Sequence, residues 1–131
     1  MDNPAYFTVL HNDGAQTRVN GLLSSRAEAV SAVQTRRGRG EAGPFYVGIV
    51  TLLDQDPASG TPLGHLVPSD PAGFALGSLT AADPARRGLN GILFPKEWIV
   101  RDIAGAARAK RTSGNDTAFD VVAITVLTAE G

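Results

Sequence analysis

Two stretches of the chain pass through the same succession of signals, and this repetition constrains the fold more than any single motif. Asn20-Gly21-Leu22-Leu23 precedes a helical segment that ends in Arg36-Arg37, crosses a glycine-bearing loop and enters the apolar run Phe45 to Leu53. Asn90-Gly91-Ile92-Leu93 precedes a second helical segment that ends in Lys110-Arg111, crosses Ser113-Gly114 and enters Phe119 to Leu127. Phe45 matches Phe119, Val47 matches Val121, Thr51 matches Thr125 and Leu53 matches Leu127 at a constant offset of 74, whereas the two Asn-Gly steps lie 70 apart. Four residues make about one helical turn, so the second helix is expected to be a turn longer. An internal duplication produces such an echo, and so do two helix-to-strand connections that obey the same local rules.

The local signals specify the elements. Asn12-Asp13-Gly14 between the apolar segments Tyr6 to His11 and Gln16 to Leu22 predicts an opening β-hairpin, because Asp-Gly suits the tight turn that matches strand twist. Ser25-Arg26-Ala27-Glu28 has capping-box spacing and places a helix over about Arg26 to Arg37, with Leu22, Ala29, Val30, Val33 and the Arg37 stem on one stripe. The runs Phe45 to Leu53 and Ala118 to Thr128 are apolar at nearly every position, as expected of strands covered on both faces near the centre of a sheet. Pro95 suits a first helical turn, and Lys96 to Arg111 continues as a helix whose stripe is Ile99, Val100, Ile103, Ala104, Ala106 and Ala107. Trp98 falls off that stripe, beside Asp102, Gly105 and Ala109.

Between about residues 54 and 94 prolines and glycines punctuate the chain, with short strands expected at Gly64 to Val67 and Phe74 to Leu79. Too few large apolar residues are present there for a second core, so residues 1–131 are expected to form a single domain. The expected architecture is α+β: a mixed sheet of five or six strands, two long helices on one face and β-β-α-β-β-β-α-β order, with the Pro/Gly-rich excursion at an edge. Any parallel crossover through a helix should be right-handed.

Composition narrows function mainly by exclusion. The net charge is −1, so no global field favours nucleic acid or an anionic membrane. Charged residues are 19% of the chain, below the usual share of about 25%, which fits either surface buried against partners or tolerance of Gly and Ala. With no cysteine there is no disulfide, thiolate nucleophile or Cys-ligated zinc. The first residues lack the basic and apolar regions of a signal peptide, and no run approaches a membrane span, so the chain reads as soluble and either cytoplasmic or virion-associated.

Candidate sites are few. Arg36, Arg37 and Arg39 at one helix end and Arg108, Lys110 and Arg111 at the other would make a phosphate-binding patch of six cations if both helices lie on one face of the sheet, and Gly38 and Gly40 would let a backbone approach. Cations at a helix C-terminus also complement its dipole, and glycine ends the helix, so the same residues are expected on structural grounds. His11 and His65 have no ligand spacing around them and read as surface residues. Asp54, Asp56 and Asp70 would suit a hard cation, but Asp56-Pro57 reads more simply as a solvated turn. Ser24-Ser25 lacks a nucleophile elbow, and neither a phosphate loop nor a dinucleotide fingerprint is present, so no catalytic residue and no cofactor is assigned. Trp98 reads first as core, covered by the excursion after Leu53, and second as an interface anchor.

Leu93-Phe94-Pro95, the helix that follows, Lys110-Arg111-Thr112 and the strand Ala123-Ile124-Thr125-Val126 resemble the end of tailed-phage head decoration proteins, where an aromatic-Pro step, a helix and a final strand recur. The resemblance stops there; the opening hairpin, capped helix and Phe45 strand are not part of that pattern. It implies a non-enzymatic oligomer bound to a capsid lattice. The expected function is a non-catalytic assembly protein, a homo-oligomer or part of a larger protein assembly, acting through Trp98 and the helix-end cations. The alternative is a small nucleic-acid-binding protein that uses the arginine patch.

Overall fold

A computed structural model describes residues 6–12, 17–41, 44–58, 71–81, 85, 87–111 and 118–129. The elements are β1 (Tyr6–Asn12), β2 (Thr17–Leu23), α1 (Arg26–Gly38), β3 (Phe45–Asp54), β4 (Gly73–Ser78), β5 (Gly88–Leu89), α2 (Glu97–Ala109) and β6 (Asp120–Ala129). The order of elements reads as expected, but one of its strands, Gly88–Leu89, is not among those the sequence announces. The third to fifth strands are Phe45–Asp54, Gly73–Ser78 and the two-residue Gly88–Leu89, while the strand expected at 64–67 and the Asp13-Gly14 turn lie outside the described residues.

The six strands form one sheet in the order β2-β1-β3-β6-β4-β5, which puts the two apolar runs, β3 and β6, at its centre as their composition requires. Every pairing among these strands is antiparallel, where a mixed sheet was expected; β2 and β3 run in the same direction on either side of β1 and α1 crosses over between them, as α2 does between β5 and β6 on either side of β4. The helices do not link parallel neighbours; each follows a hairpin and returns the chain to the hairpin's free side. The excursion does not end at an open edge either. Arg18 bridges Ile92, Val19 N–H donates to Gly91 O at 3.0 Å and Leu93 N–H to Thr17 O at 3.3 Å, so β2 meets the chain after β5 and the sheet nearly closes into a barrel.

Strand alternation then sorts the core. Leu10, Val19, Val50, Leu52, Ala75, Val122 and Ile124 point inward and fill the barrel. The lumen is narrow: a Cβ on Gly48 would lie 2.8 Å from Leu10 Cδ1 and 2.9 Å from Ile124 Cγ2, so only glycine fits there. Outside, Ala29 and Val33 of α1 pack on Val9, Phe45 and Val47, and Val100 and Ala104 of α2 pack on Leu76 and Val121. Both helices therefore lie on one face of the sheet, the convex one.

The echo in the sequence is a structural repeat. β1-β2-α1-β3 and β4-β5-α2-β6 are the same β-β-α-β unit, and the strand order reads identically from either edge. Val50 and Ile124, equivalent under the offset of 74, pair with each other, so an approximate twofold axis passes between them. On the far side the Arg18–Ile92 bridge centres the seam on Asn20 and Asn90, the equivalent Asn-Gly steps. Gly21 and Gly91 have φ of 81° and 83°, a left-handed conformation that explains why both copies carry glycine there.

The helices correct one expectation. Each has thirteen residues, so α2 is not a turn longer, and Pro95 lies before the helix with Lys96 as its N-cap. The added residues lie in the connections, chiefly the one from Ala109 to Asp120. α1 has the capping residues its sequence announces: Ser25 Oγ accepts from Glu28 N–H at 3.1 Å, a bond that contributes about 1 kcal/mol. The Glu28 carboxylate accepts from the Ser24 hydroxyl at 2.9 Å. At its other end Gly40 N–H donates to Arg37 O and Glu41 N–H to Arg36 O, the paired closure that a left-handed glycine (φ 78°) permits. No helix among the described residues is long and apolar enough to cross a membrane.

Candidate functional site

The twofold arrangement decides the fate of the cation patch. Arg37 Nη2 donates to Phe45 O at 3.4 Å, and Arg108 Nε and Nη2 donate to Phe119 O at 2.9 and 2.6 Å, the same contact in each unit. Phe45 begins β3, whereas Phe119 adjoins Asp120 and Val121, which lie beside the end of β3 at Asp54. Ten extended residues span about 30 Å, so the two basic helix ends stand at opposite ends of the barrel. Each is engaged locally. Arg36 and Arg39 lie 3.5 and 3.7 Å from Glu41, and Arg108 lies 3.0 Å from Asp54. The six cations do not form one surface.

Where the units differ, a polar cluster has formed. Asp120 occupies the position that Tyr46 holds in the first unit, and it is fully buried at the barrel's end. Its Oδ1 accepts from Asp56 N–H at 2.7 Å, its Oδ2 accepts from the N–H groups of Leu79 and Thr80 at 2.9 and 3.0 Å, and the Thr80 hydroxyl donates to it as well. Burial raises its pKa above the ordinary 3.8, opposed by the Thr80 and Leu79 hydrogen bonds and the positive charge of Arg108.

Asp56 is the cluster's second buried carboxylate, 2% exposed, and corrects the expectation of a solvated turn. It accepts from Phe119 N–H at 2.8 Å and Ala58 N–H at 2.9 Å, and pairs with Arg111, whose guanidinium also stacks 5.0 Å from the Phe119 ring. Ser78 Oγ accepts from Ala118 N–H at 3.0 Å. Together these bonds tie the chain after β3 and the chain after β4 to the start of β6. The carboxylate oxygens are occupied by protein donors, which makes the cluster a clasp between three connections.

Among the described residues no group of three or more His, Asp or Glu side chains is placed to hold a metal ion. His11 stacks on Phe45 with ring centroids 4.6 Å apart, while His65 and Asp70 lie outside the described residues. A hollow of about 310 Å³ lies between β4, β5 and the start of β6, lined by Leu76, Ser78, Leu89, Asn90 and Phe119 among others. It sits at the lower limit of small-molecule pockets, and Ser78 and Asn90 are its polar side chains.

Trp98 is the remaining candidate, and the structure places it outside the core, 64% exposed on the solvent side of α2. Asp102, Gly105, Ala106 and Ala109 are exposed on the same side. Gly105 in mid-helix costs about 1 kcal/mol relative to alanine, yet a Cβ there would meet nothing within 4 Å. The chain's own packing gives no reason for that glycine. The Trp98 face is legible in its helical spacing, whereas the clasp has no local signal because its members are 40 to 64 residues apart. Compared with family models, curated proteins and solved structures, the chain matches none.

Proposed function

We propose that the protein is a non-catalytic assembly protein that acts through protein–protein contacts, as the tailed-phage decoration resemblance implies, in the cytoplasm or on a virion. The observation that carries this reading is Trp98, a large apolar side chain held in solvent by a well-formed helix beside small residues. Such a side chain contributes disproportionately to binding once a partner desolvates it. A charge content of 19% supports the same reading. The buried carboxylates point elsewhere than to catalysis, since their oxygens serve the clasp.

Light scattering across a range of concentrations tests it. A multimer that persists on dilution to micromolar protein is the expected result. A strict monomer at high concentration removes the main support.

A further inference from the structure

We infer that the hollow beside Phe119 binds a small planar heteroaromatic ring of nucleobase size, in the place that a histidine fills in the first unit. This does not rest on the assembly reading. In the first unit Leu10 faces Tyr46, and the next pair, His11 and Phe45, stack with ring centroids 4.6 Å apart and planes 20° from parallel. In the second unit Gly77 faces Asp120, and the next residues along the two chains are Ser78 and Phe119. Across the hairpins His11 faces Arg18, and Ser78 faces Gly88. An imidazole and a guanidinium-bearing chain in one unit thus correspond to a hydroxymethyl group and a hydrogen atom in the other. The hollow of about 310 Å³ is lined by Ser78, Gly88 and Phe119, where those side chains are missing, and a Cβ on Gly88 would meet nothing within 4 Å.

The repeat also says what fits. Each phenylalanine ring has an arginine over it, Arg36 at 5.9 Å from Phe45 and Arg111 at 5.0 Å from Phe119, but among the described residues only Phe45 carries a stacked ring as well. A flat π-system laid on Phe119 repeats the contact that His11 makes. The polar groups select a ring with a hydrogen-bonding edge over a hydrocarbon one. Ser78 Oγ accepts from Ala118 N–H at 3.0 Å and keeps its own proton to donate, and Asn90, exposed at the same hollow, presents a carboxamide that both donates and accepts. None of the described lining residues is charged, which favours a neutral ring over an ionised one. The volume suits one ring or two fused rings rather than a drug-sized molecule.

NMR titration of the whole chain with adenine, uracil and pyrimidine at neutral pH tests it, with the saturated ring tetrahydropyran as the comparison. Shifts should gather at Ser78, Leu89, Asn90 and Phe119, with dissociation constants in about the millimolar range that ligands of this size reach. Tetrahydropyran should bind about tenfold more weakly than pyrimidine, since it cannot stack. Ser78→His and Gly88→Arg, each of which restores a side chain of the first unit, should weaken adenine binding by about tenfold or more with unchanged far-UV circular dichroism. Gly88→Arg leaves Ser78 and its bond to Ala118 in place, so a loss of binding there cannot be ascribed to that bond. Adenosine binding as tightly as adenine assigns the hollow to nucleosides and weaker binding assigns it to free bases; both support the site. Signals that stay unmoved by every ring at several times those concentrations overturn the inference, as does equal binding of tetrahydropyran or undiminished binding by folded Gly88→Arg.

Discussion

The two ends of the barrel are built on one plan and finished differently. At the first, Arg37 reaches the Phe45 carbonyl and the next residue, Tyr46, packs beside the apolar lumen. At the second, Arg108 reaches the Phe119 carbonyl and the next residue is Asp120, a buried carboxylate surrounded by N–H and O–H donors. The backbone scaffold tolerates either finish, because the repeat is held by the sheet and the helix stripes. The polar end adds something the apolar end does not: it fixes the connections after β3 and β4 against β6.

The largest effect that separates the ends should come from Asp120→Ala, which leaves the N–H groups of Asp56, Leu79 and Thr80 without their acceptor. A loss of about 3 kcal/mol or more in urea unfolding is expected, against less than about 1 kcal/mol for Tyr46→Phe. Comparable values would dissolve the contrast. The helix stripes should instead behave alike. Val33 and Val100 are both fully buried, and each contacts its own side of the sheet. Truncation of either to alanine should cost about 2 kcal/mol, and a gap between them above about 1 kcal/mol would show that the halves are not energetically equivalent.

The shared arginine contact gives a smaller difference. Arg108 bonds Phe119 O and Asp54 from a partly buried position, whereas Arg37 is exposed and makes one long bond. Arg108→Ala should cost about 1.5 kcal/mol and Arg37→Ala less than about 0.5 kcal/mol in the same assay. The smallest effect concerns pH. Because the Asp120 pKa is raised on folding, the folded chain holds that proton more tightly than the unfolded chain. The stabilisation is complete below 3.8 and declines as pH rises through the raised value. Asp120→Asn should flatten that limb of the stability profile, and an unchanged slope would assign it to other carboxylates.

How far the sequence announces this molecule depends on the range of the interaction. Ser25, the Asn12-Asp13-Gly14 signal and the uninterrupted apolar runs are local, and from them the hairpin strands, α1 and the two central strands can be read. The repeat is only half legible, because its offset drifts along the chain from the paired helices to the last strands as connections lengthen. That drift, read as a longer helix, is absorbed by loops. β5 has two residues and no periodicity to detect, and barrel closure depends on pairing between segments some 70 residues apart. Asp56 misleads for the same reason: Asp-Pro is a local turn signal, and the groups that bury it, Phe119 and Arg111, are distant in sequence.

The seam at Asn20 and Asn90 bears on aggregation as well as on shape. Sheet edges ordinarily offer a ladder of free N–H and C=O groups to any other extended chain. Here β2 and the segment after β5 direct those groups at each other, which withdraws strand addition as a route by which copies of this chain join. Any contact this chain makes with another protein would then fall to side chains, as on the convex, helical side, where single substitutions can tune it.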